Sequence, residues 1–282
     1  MAKCHVCFRH CSIDEGDIGF CGARTAKDGK VIAYNYGKVS GLALDPIEKK
    51  PLNNFFPGSY ILSVGSFGCN LRCPFCQNND ISWSEEARRY ASDAEIISPQ
   101  ELVNIAIDTR DKGNIGIAFT YNEPLVGYEF VLDTAKLAKK NDLKTVLVSN
   151  GTAELSVLAE LAPYIDAMNI DLKGFTDEYY DKLLGGSRKQ VMEFIEEAVK
   201  HCHVELTTLI IPGENDSEEE MRELSGWVRE LELANEKSIP LHISRFFPRF
   251  KMTDRDATSV SKVYKLADVA REKLELVYTG NC

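Results

Sequence analysis

Gly68-Cys69-Asn70-Leu71-Arg72-Cys73-Pro74-Phe75-Cys76-Gln77-Asn78 carries three cysteines in a C-x3-C-x2-C spacing. Iron–sulfur clusters are normally held by four cysteine thiolates. No fourth cysteine lies near this run, so a cluster on Cys69, Cys73 and Cys76 would keep one iron open to another ligand. Structural zinc is the alternative, but structural zinc sites are closed by four ligands. The apolar run Tyr60 to Val64 leads directly into the motif, which places the cysteines on the loop after a strand. That is where α/β folds put their chemistry.

Outward from this loop, β-branched runs alternate with amphipathic stretches. Strands are expected at 61–66, 115–120, 144–148, 167–171, 204–210 and 240–244, with a seventh at 275–278. Helices are expected at 127–140, 153–161, 187–202, 217–231 and 259–273. Ser98-Pro99-Gln100-Glu101 reads as an N-cap, a proline at the first helical position and a capping-box glutamate, opening another helix to about Asp111. Strands that alternate with helices build a parallel sheet with right-handed crossovers. The expectation is therefore an α/β chain, a partial (β/α)6 TIM-like barrel spanning 46–282. Residues 1–45 differ: they are rich in Cys and Gly, lack helical periodicity and contain strand-like runs at 31–36 and 39–44. They read as a small Cys-rich metal-binding module.

The four cysteines of that segment follow the spacing Cys4-x2-Cys7-x3-Cys11-x9-Cys21. Four thiols satisfy tetrahedral zinc or a second Fe–S cluster. The C-x2-C half tilts slightly toward zinc, and His5 or His10 could replace one thiol. Cys202 reads as a core helix residue, and nothing local assigns Cys282.

Composition narrows the class. The 282 residues are 44% hydrophobic and 27% charged, as in ordinary globular proteins. The formal net charge of −10 argues against nucleic acid as a partner. No run approaches the roughly 18 apolar residues of a membrane span, and Met1 to Arg9 lacks an apolar signal core. A cytoplasmic location is expected. In that compartment clustered cysteines bind metal more often than they form disulfides.

The cysteine run resembles the cluster loop of the radical S-adenosylmethionine (SAM) superfamily. That resemblance implies a [4Fe–4S] cluster on Cys69, Cys73 and Cys76, with SAM on the open iron and Phe75 near the adenine. It further implies reductive cleavage of SAM to a deoxyadenosyl radical, which abstracts hydrogen from a substrate. Thr120-Tyr121-Asn122-Glu123-Pro124 follows the second expected strand, where the family has a Gly-Gly-Glu-Pro-like segment that binds the SAM amino group. Glu123 and Pro124 match, and Tyr121 and Asn122 replace the glycines. Ser149-Asn150-Gly151 and Asn169-Ile170-Asp171-Leu172-Lys173 resemble loops of the glycyl-radical-enzyme activases. There Asp171 and Lys173 would reach the SAM ribose and carboxylate. The activases also hold a monovalent cation on a carboxylate pair, but Val148 stands at one of the two positions. His242 and Arg245 lie in the stretch that closes over adenine and ribose in related enzymes, although a lone His on an apolar strand also serves as a core residue.

Taken with the N-terminal cysteines, Asp45 to Leu52 and Asn54 to Ser59, the chain is similar to the radical SAM component of the AmmeMemoRadiSam system. That subfamily is pyruvate formate-lyase-activating-enzyme-like. The similarity implies Memo-like and AMMECR-type protein partners and an electron donor. A glycyl-radical-enzyme activase is the alternative activity. A non-catalytic zinc-bound scaffold or electron carrier is the alternative of another class.

Overall fold

The computed structural model describes residues 1–282. Its centre is an eight-stranded sheet: β1 (Gly41–Pro46), β2 (Tyr60–Gly65), β3 (Asn114–Thr120), β4 (Lys144–Ser149), β5 (Ala167–Asp171), β6 (His203–Ile210), β7 (Leu241–Arg245) and β8 (Val277–Gly280). The strands lie side by side in chain order. β2 to β8 are parallel, and β1 is antiparallel to β2 in the register Gly41↔Gly65. β1 and β8 do not pair with each other, so the barrel is open. The seventh strand expected at 275–278 is present at Val277–Gly280 and is parallel, and the barrel also gains an antiparallel edge strand.

The strands read as nearly continuous buried runs because helices cover their outer face. In β2 every residue after Tyr60 is buried. Apart from a single turn at Asn79–Ser82, the α-helices are α1 (Glu85–Ser92), α2 (Pro99–Asp108), α3 (Tyr128–Lys140), α4 (Leu155–Leu161), α5 (Arg188–His201), α6 (Glu218–Asn235) and α7 (Val260–Arg271). Ser84, Ser98, Ser187, Ser217 and Ser259 each cap a helix by accepting an N–H from its first turn. The capping box expected at Ser98 and Glu101 is complete. Its helix ends at Asp108, and a separate 3-10 turn covers Arg110–Lys112. α6 runs on to Asn235, past the expected end at residue 231.

The connector after β1 closes one end of the barrel. Ile47, Leu52 and Phe55 pack on Ile61, Ala118, Val146 and Ala167 inside the sheet. Glu205 accepts from the N–H groups of Asn53 and Asn54 at 3.0 and 2.7 Å. The opposite end, at the C-terminal tips of the strands, is left for the site.

The first forty residues form short antiparallel ladders. Ala2–Lys3 pairs with Ser12–Ile13, and Arg24–Lys27 with Lys30–Ala33. The boundary expected at residue 45 falls inside β1, because that run pairs with β2 instead of staying with the N-terminal ladders. Ala2, Cys4, Val6, Ile13 and Ala26 also join the main apolar core of the barrel. No helix is long and apolar enough to cross a membrane.

Candidate active site

The cysteine loop leaves β2 and is held from three sides. Arg72 donates its backbone N–H to Leu184 O at 2.9 Å, Gly68 N–H goes to Ile81 O at 2.9 Å, and Cys69 N–H goes to Cys21 O at 3.0 Å. Leu184 ends a π-helical turn, Tyr179–Leu184, whose Tyr180 hydroxyl accepts from Lys173 N–H at 3.0 Å. Such turns recur at functional sites. Two donors address the Cys69 sulfur: Leu71 N–H at 3.4 Å and Asn150 Nδ2 at 3.7 Å. Burial pushes the Cys73 thiol up to about 11 and raises Cys69 and Cys76 as well. Metal binding must therefore displace protons from these thiols.

One cavity at the strand tips is lined by all three cysteines together with Phe75, Tyr121, Asn122, Glu123, Ser149, Asn150, Asp171 and Lys173. These residues come from the C-terminal ends of β2, β3, β4 and β5 and the loops that follow them, and the sheet brings them together as the strand-end rule requires.

Glu123 is 3% exposed. Its Oε1 accepts from Leu125 N–H and the Ser149 hydroxyl at 3.0 and 2.8 Å, and its Oε2 from Asn150 N–H at 2.7 Å. Burial raises its pKa from 4.5 to about 7, against the pull of these three donors, and the charge on Asp171 adds to the rise. No cation faces it. An ionised carboxylate has about four acceptor positions, so one on Oε2 is still available.

Lys173 ion-pairs with Asp171 Oδ2 at 2.8 Å. Burial alone would lower its pKa, but Asp171 and Cys73 outweigh burial and raise it, so the ammonium is firmly charged. Asp171 Oδ1 takes no hydrogen bond within the chain. A buried carboxylate without a cation and a charged lysine thus line one cavity beside three thiols. That donor set fits a zwitterionic amino acid group such as the methionine part of SAM, next to a cluster with an open iron.

The structure does not bring His242 and Arg245 into this cavity. His242 Nε2 meets Glu205 Oε2 at 2.6 Å, and its ring stacks on Tyr278. Glu205, fully buried, also pairs with His203 at 2.9 Å, so His242 belongs to the barrel interior below the site. Arg245 donates to Thr258 O at 2.6 Å and lies over Phe247. Ser244 lines the cavity in their place.

Sequence reading also missed Lys50, Thr207 and Asn281, which line the same cavity. Ser244 and Asn281 stand at or just past the ends of β7 and β8, so the strand-end rule could have found them. Lys50 is 3% exposed and bonds Asp45 Oδ2 at 3.0 Å. The same oxygen accepts from Ser63 and Tyr121, each at 2.9 Å. No local signal marks this pairing. Val148 lines the cavity and offers no oxygen to a cation.

The N-terminal cysteines converge separately. Cys4, Cys7, Cys11 and Cys21 line one small cavity with Arg9, Arg24, Val6 and Ile13. Cys202 sits on the barrel helices with its thiol toward Ala198 O, and Cys282 is exposed.

Comparison with known proteins agrees with this geometry. The uncharacterized protein MJ0808 of Methanocaldococcus jannaschii is 40% identical over 282 residues, covering 99% of this chain and 81% of its own length. The pyruvate formate-lyase 1-activating enzyme of Escherichia coli K12 is 26% identical over 211 residues, covering 74% of this chain and 81% of that enzyme. Among solved structures, Streptococcus suis SuiB superposes with a TM-score of 0.57 at 14% identity. That match covers 76% of this chain but only 47% of SuiB, about half its length. A radical SAM methyltransferase from Sphaerobacter thermophilus superposes with a TM-score of 0.58 at 16% identity, over 80% of this chain and 67% of its own. The family model described as Radical SAM superfamily matches residues 63–225, a span that opens in β2, takes in the cysteine loop and ends within α6. The chain belongs to the radical SAM superfamily and is related to the pyruvate formate-lyase-activating enzymes.

Proposed function

We propose that this chain is the radical SAM enzyme of an AmmeMemoRadiSam-type system, acting on a protein substrate. The observation that carries the activity is the shared cavity in which Cys69, Cys73, Cys76, Glu123 and Lys173 meet. Cys69, Cys73 and Cys76 would hold a [4Fe–4S] cluster, and SAM would bind beside it. When bound, the two supply a deoxyadenosyl radical that takes a hydrogen atom from the substrate.

The protein's own part is positioning and charge. Glu123 would accept from the SAM ammonium, and Lys173 would donate to its carboxylate. Asp171 keeps Lys173 charged and would take a ribose hydroxyl on its other oxygen. Leu71 N–H and Asn150 Nδ2 stabilise the thiolate of Cys69 by donating to its sulfur. Phe75 and Tyr121 supply flat apolar surface on which adenine can lie. The likeness to enzymes that activate pyruvate formate-lyase supports a protein substrate, and Memo-like and AMMECR-type proteins are the partners to test first.

The test is anaerobic reconstitution with iron and sulfide, then chemical reduction and assay for deoxyadenosine. Wild type should form it, and the Cys69→Ala/Cys73→Ala/Cys76→Ala variant should not. Equal deoxyadenosine from the triple variant would end the proposal. Adding Memo-like and AMMECR-type proteins and looking for hydrogen loss from one of them tests the substrate class.

A further inference from the structure

We propose that Cys4, Cys7, Cys11 and Cys21 hold a second four-iron cluster that passes single electrons to the group at Cys69, Cys73 and Cys76. The relay rests on the radical SAM activity proposed above; the second cluster itself does not.

Four free thiols line one cavity, three of them buried and Cys11 partly exposed. Arg24 lines it too, is 4% exposed, and has a buried Nε–H with no hydrogen-bond partner. An orphaned buried donor costs about 1–3 kcal/mol unless something accepts from it. A cluster with thiolate and sulfide sulfurs is such an acceptor.

Four thiolates satisfy zinc and a four-iron cluster alike. Zinc has no redox chemistry, and the place of this set beside the Cys69 loop, where Cys69 N–H meets Cys21 O, favours the group that can exchange an electron.

The two thiol sets touch. Cys69 N–H donates to Cys21 O, so a short covalent path and one hydrogen bond join the two sulfurs. Arg9 donates to Asn70 O at 2.7 Å, and its charge reaches Cys7, Cys11 and Cys21 as well as Cys69. Arg9 and Arg72 lie over the Phe20 ring, 3.6 and 3.7 Å from its centroid. Two cations thus stand between two anionic groups, which eases adding an electron to either one. A low-potential flavoprotein loses one electron at the Cys11 face. The N-terminal cluster gains it and passes it on, returning to its oxidised form.

Metal analysis of the anaerobically reconstituted full chain tests the site. About eight irons per chain are expected in wild type, and about four in both the Cys4→Ala/Cys11→Ala and the Cys69→Ala/Cys73→Ala/Cys76→Ala variants. In case the first variant fails to fold, wild type alone gives a second reading. After dithionite reduction it should show about two electron spins per chain, with SAM perturbing one of them. Photoreduced flavodoxin tests the relay. The ratio of flavodoxin-driven to dithionite-driven SAM cleavage should fall on the order of tenfold in the Cys4→Ala/Cys11→Ala variant. An unchanged ratio overturns the relay. About one zinc surviving the triple replacement overturns the second cluster. So do about four irons in wild type that all vanish with that replacement, and this outcome leaves the SAM activity intact. No deoxyadenosine from iron-loaded wild type defeats the SAM activity and the relay with it, whatever the iron count.

Discussion

Cys69 donates its backbone N–H to the carbonyl of Cys21 at 3.0 Å, joining the SAM-family cysteine loop to the N-terminal thiol segment main chain to main chain. Gly68 makes the approach possible. It sits at φ +99°, and a Cβ there would lie 2.8 Å from both Cys21 O and Ala23 Cβ.

Gly68→Ala should therefore destabilise the protein and loosen both cysteine sets. The left-handed backbone alone costs a side chain about 1–3 kcal/mol, and the clash with a carbonyl adds to it. Urea unfolding of the metal-free protein measures the loss. A change below about 0.5 kcal/mol, the range of inert surface substitutions, would mean that the two segments part easily.

Glu123→Gln and Lys173→Met should each weaken SAM binding tenfold or more. A charge-assisted hydrogen bond contributes about 1.5–3 kcal/mol, and about 1.4 kcal/mol is a factor of ten. Glu123→Gln also sets an amide donor against one of the donors around the carboxylate, so its melting temperature must be recorded beside its affinity. Anaerobic calorimetry with SAM is the measurement. Unchanged affinity in both variants would place the methionine group elsewhere.

Asp45→Asn should be strongly destabilising, because it strips the counter-charge from buried Lys50. Breaking a buried pair from one side typically costs about 3–5 kcal/mol. Adding Lys50→Met should recover a large part of that loss. Additive losses in the double variant, within about 0.5 kcal/mol, would show that the pair is not coupled.

Glu205 predicts an acid transition. Burial works to raise its pKa, but His203, His242 and the N–H groups of Asn54 and Asn53 together lower it from 4.5 to about 2. A lowered carboxylate stabilises the fold above its unfolded pKa, and that stability is lost as pH falls from about 4.5 through about 2. The shift corresponds to about 3 kcal/mol. The advantage of wild type over Glu205→Gln, followed by denaturant titration, should be full near pH 6 and have lost most of its size by about pH 2.5. A constant difference across that range would remove Glu205 as its source.

Much of the cavity was legible because its residues follow a topological rule. Glu123, Asp171 and Lys173 stand at the end of a strand of the parallel sheet or within three residues past it, and strand tips converge whatever the helices between them contain. β7 shows where the rule stops. His242 and Ser244 are two residues apart and share a face of the strand, but only Ser244 is high enough to line the cavity, while His242 meets Glu205 below it. Arg245, one residue on, points the other way, to Thr258. Neither the phase of the pleat nor the depth in the barrel is written in a five-residue run. α1 went unread for a related reason: Ser84 caps a helix whose buried side chains are only Ala87 and Ala91, too small an apolar stripe to stand out from a charged run.

By itself, the sequence determined the chemistry of the ligands, because thiol type and close spacing are local properties: Cys69, Cys73 and Cys76 on one loop, four more cysteines within the first 21 residues. It also determined the alternation of strand and helix, since periodicity and serine caps act within one element. Tertiary structure alone decided that Gly41–Pro46 joins the sheet, that Lys50 and Asn281 reach the cavity, and that Cys21 meets Cys69. Each of these is a contact between segments distant in the chain. Such contacts form where burying apolar surface outweighs the entropy of closing a long loop, and no short stretch of residues records that balance.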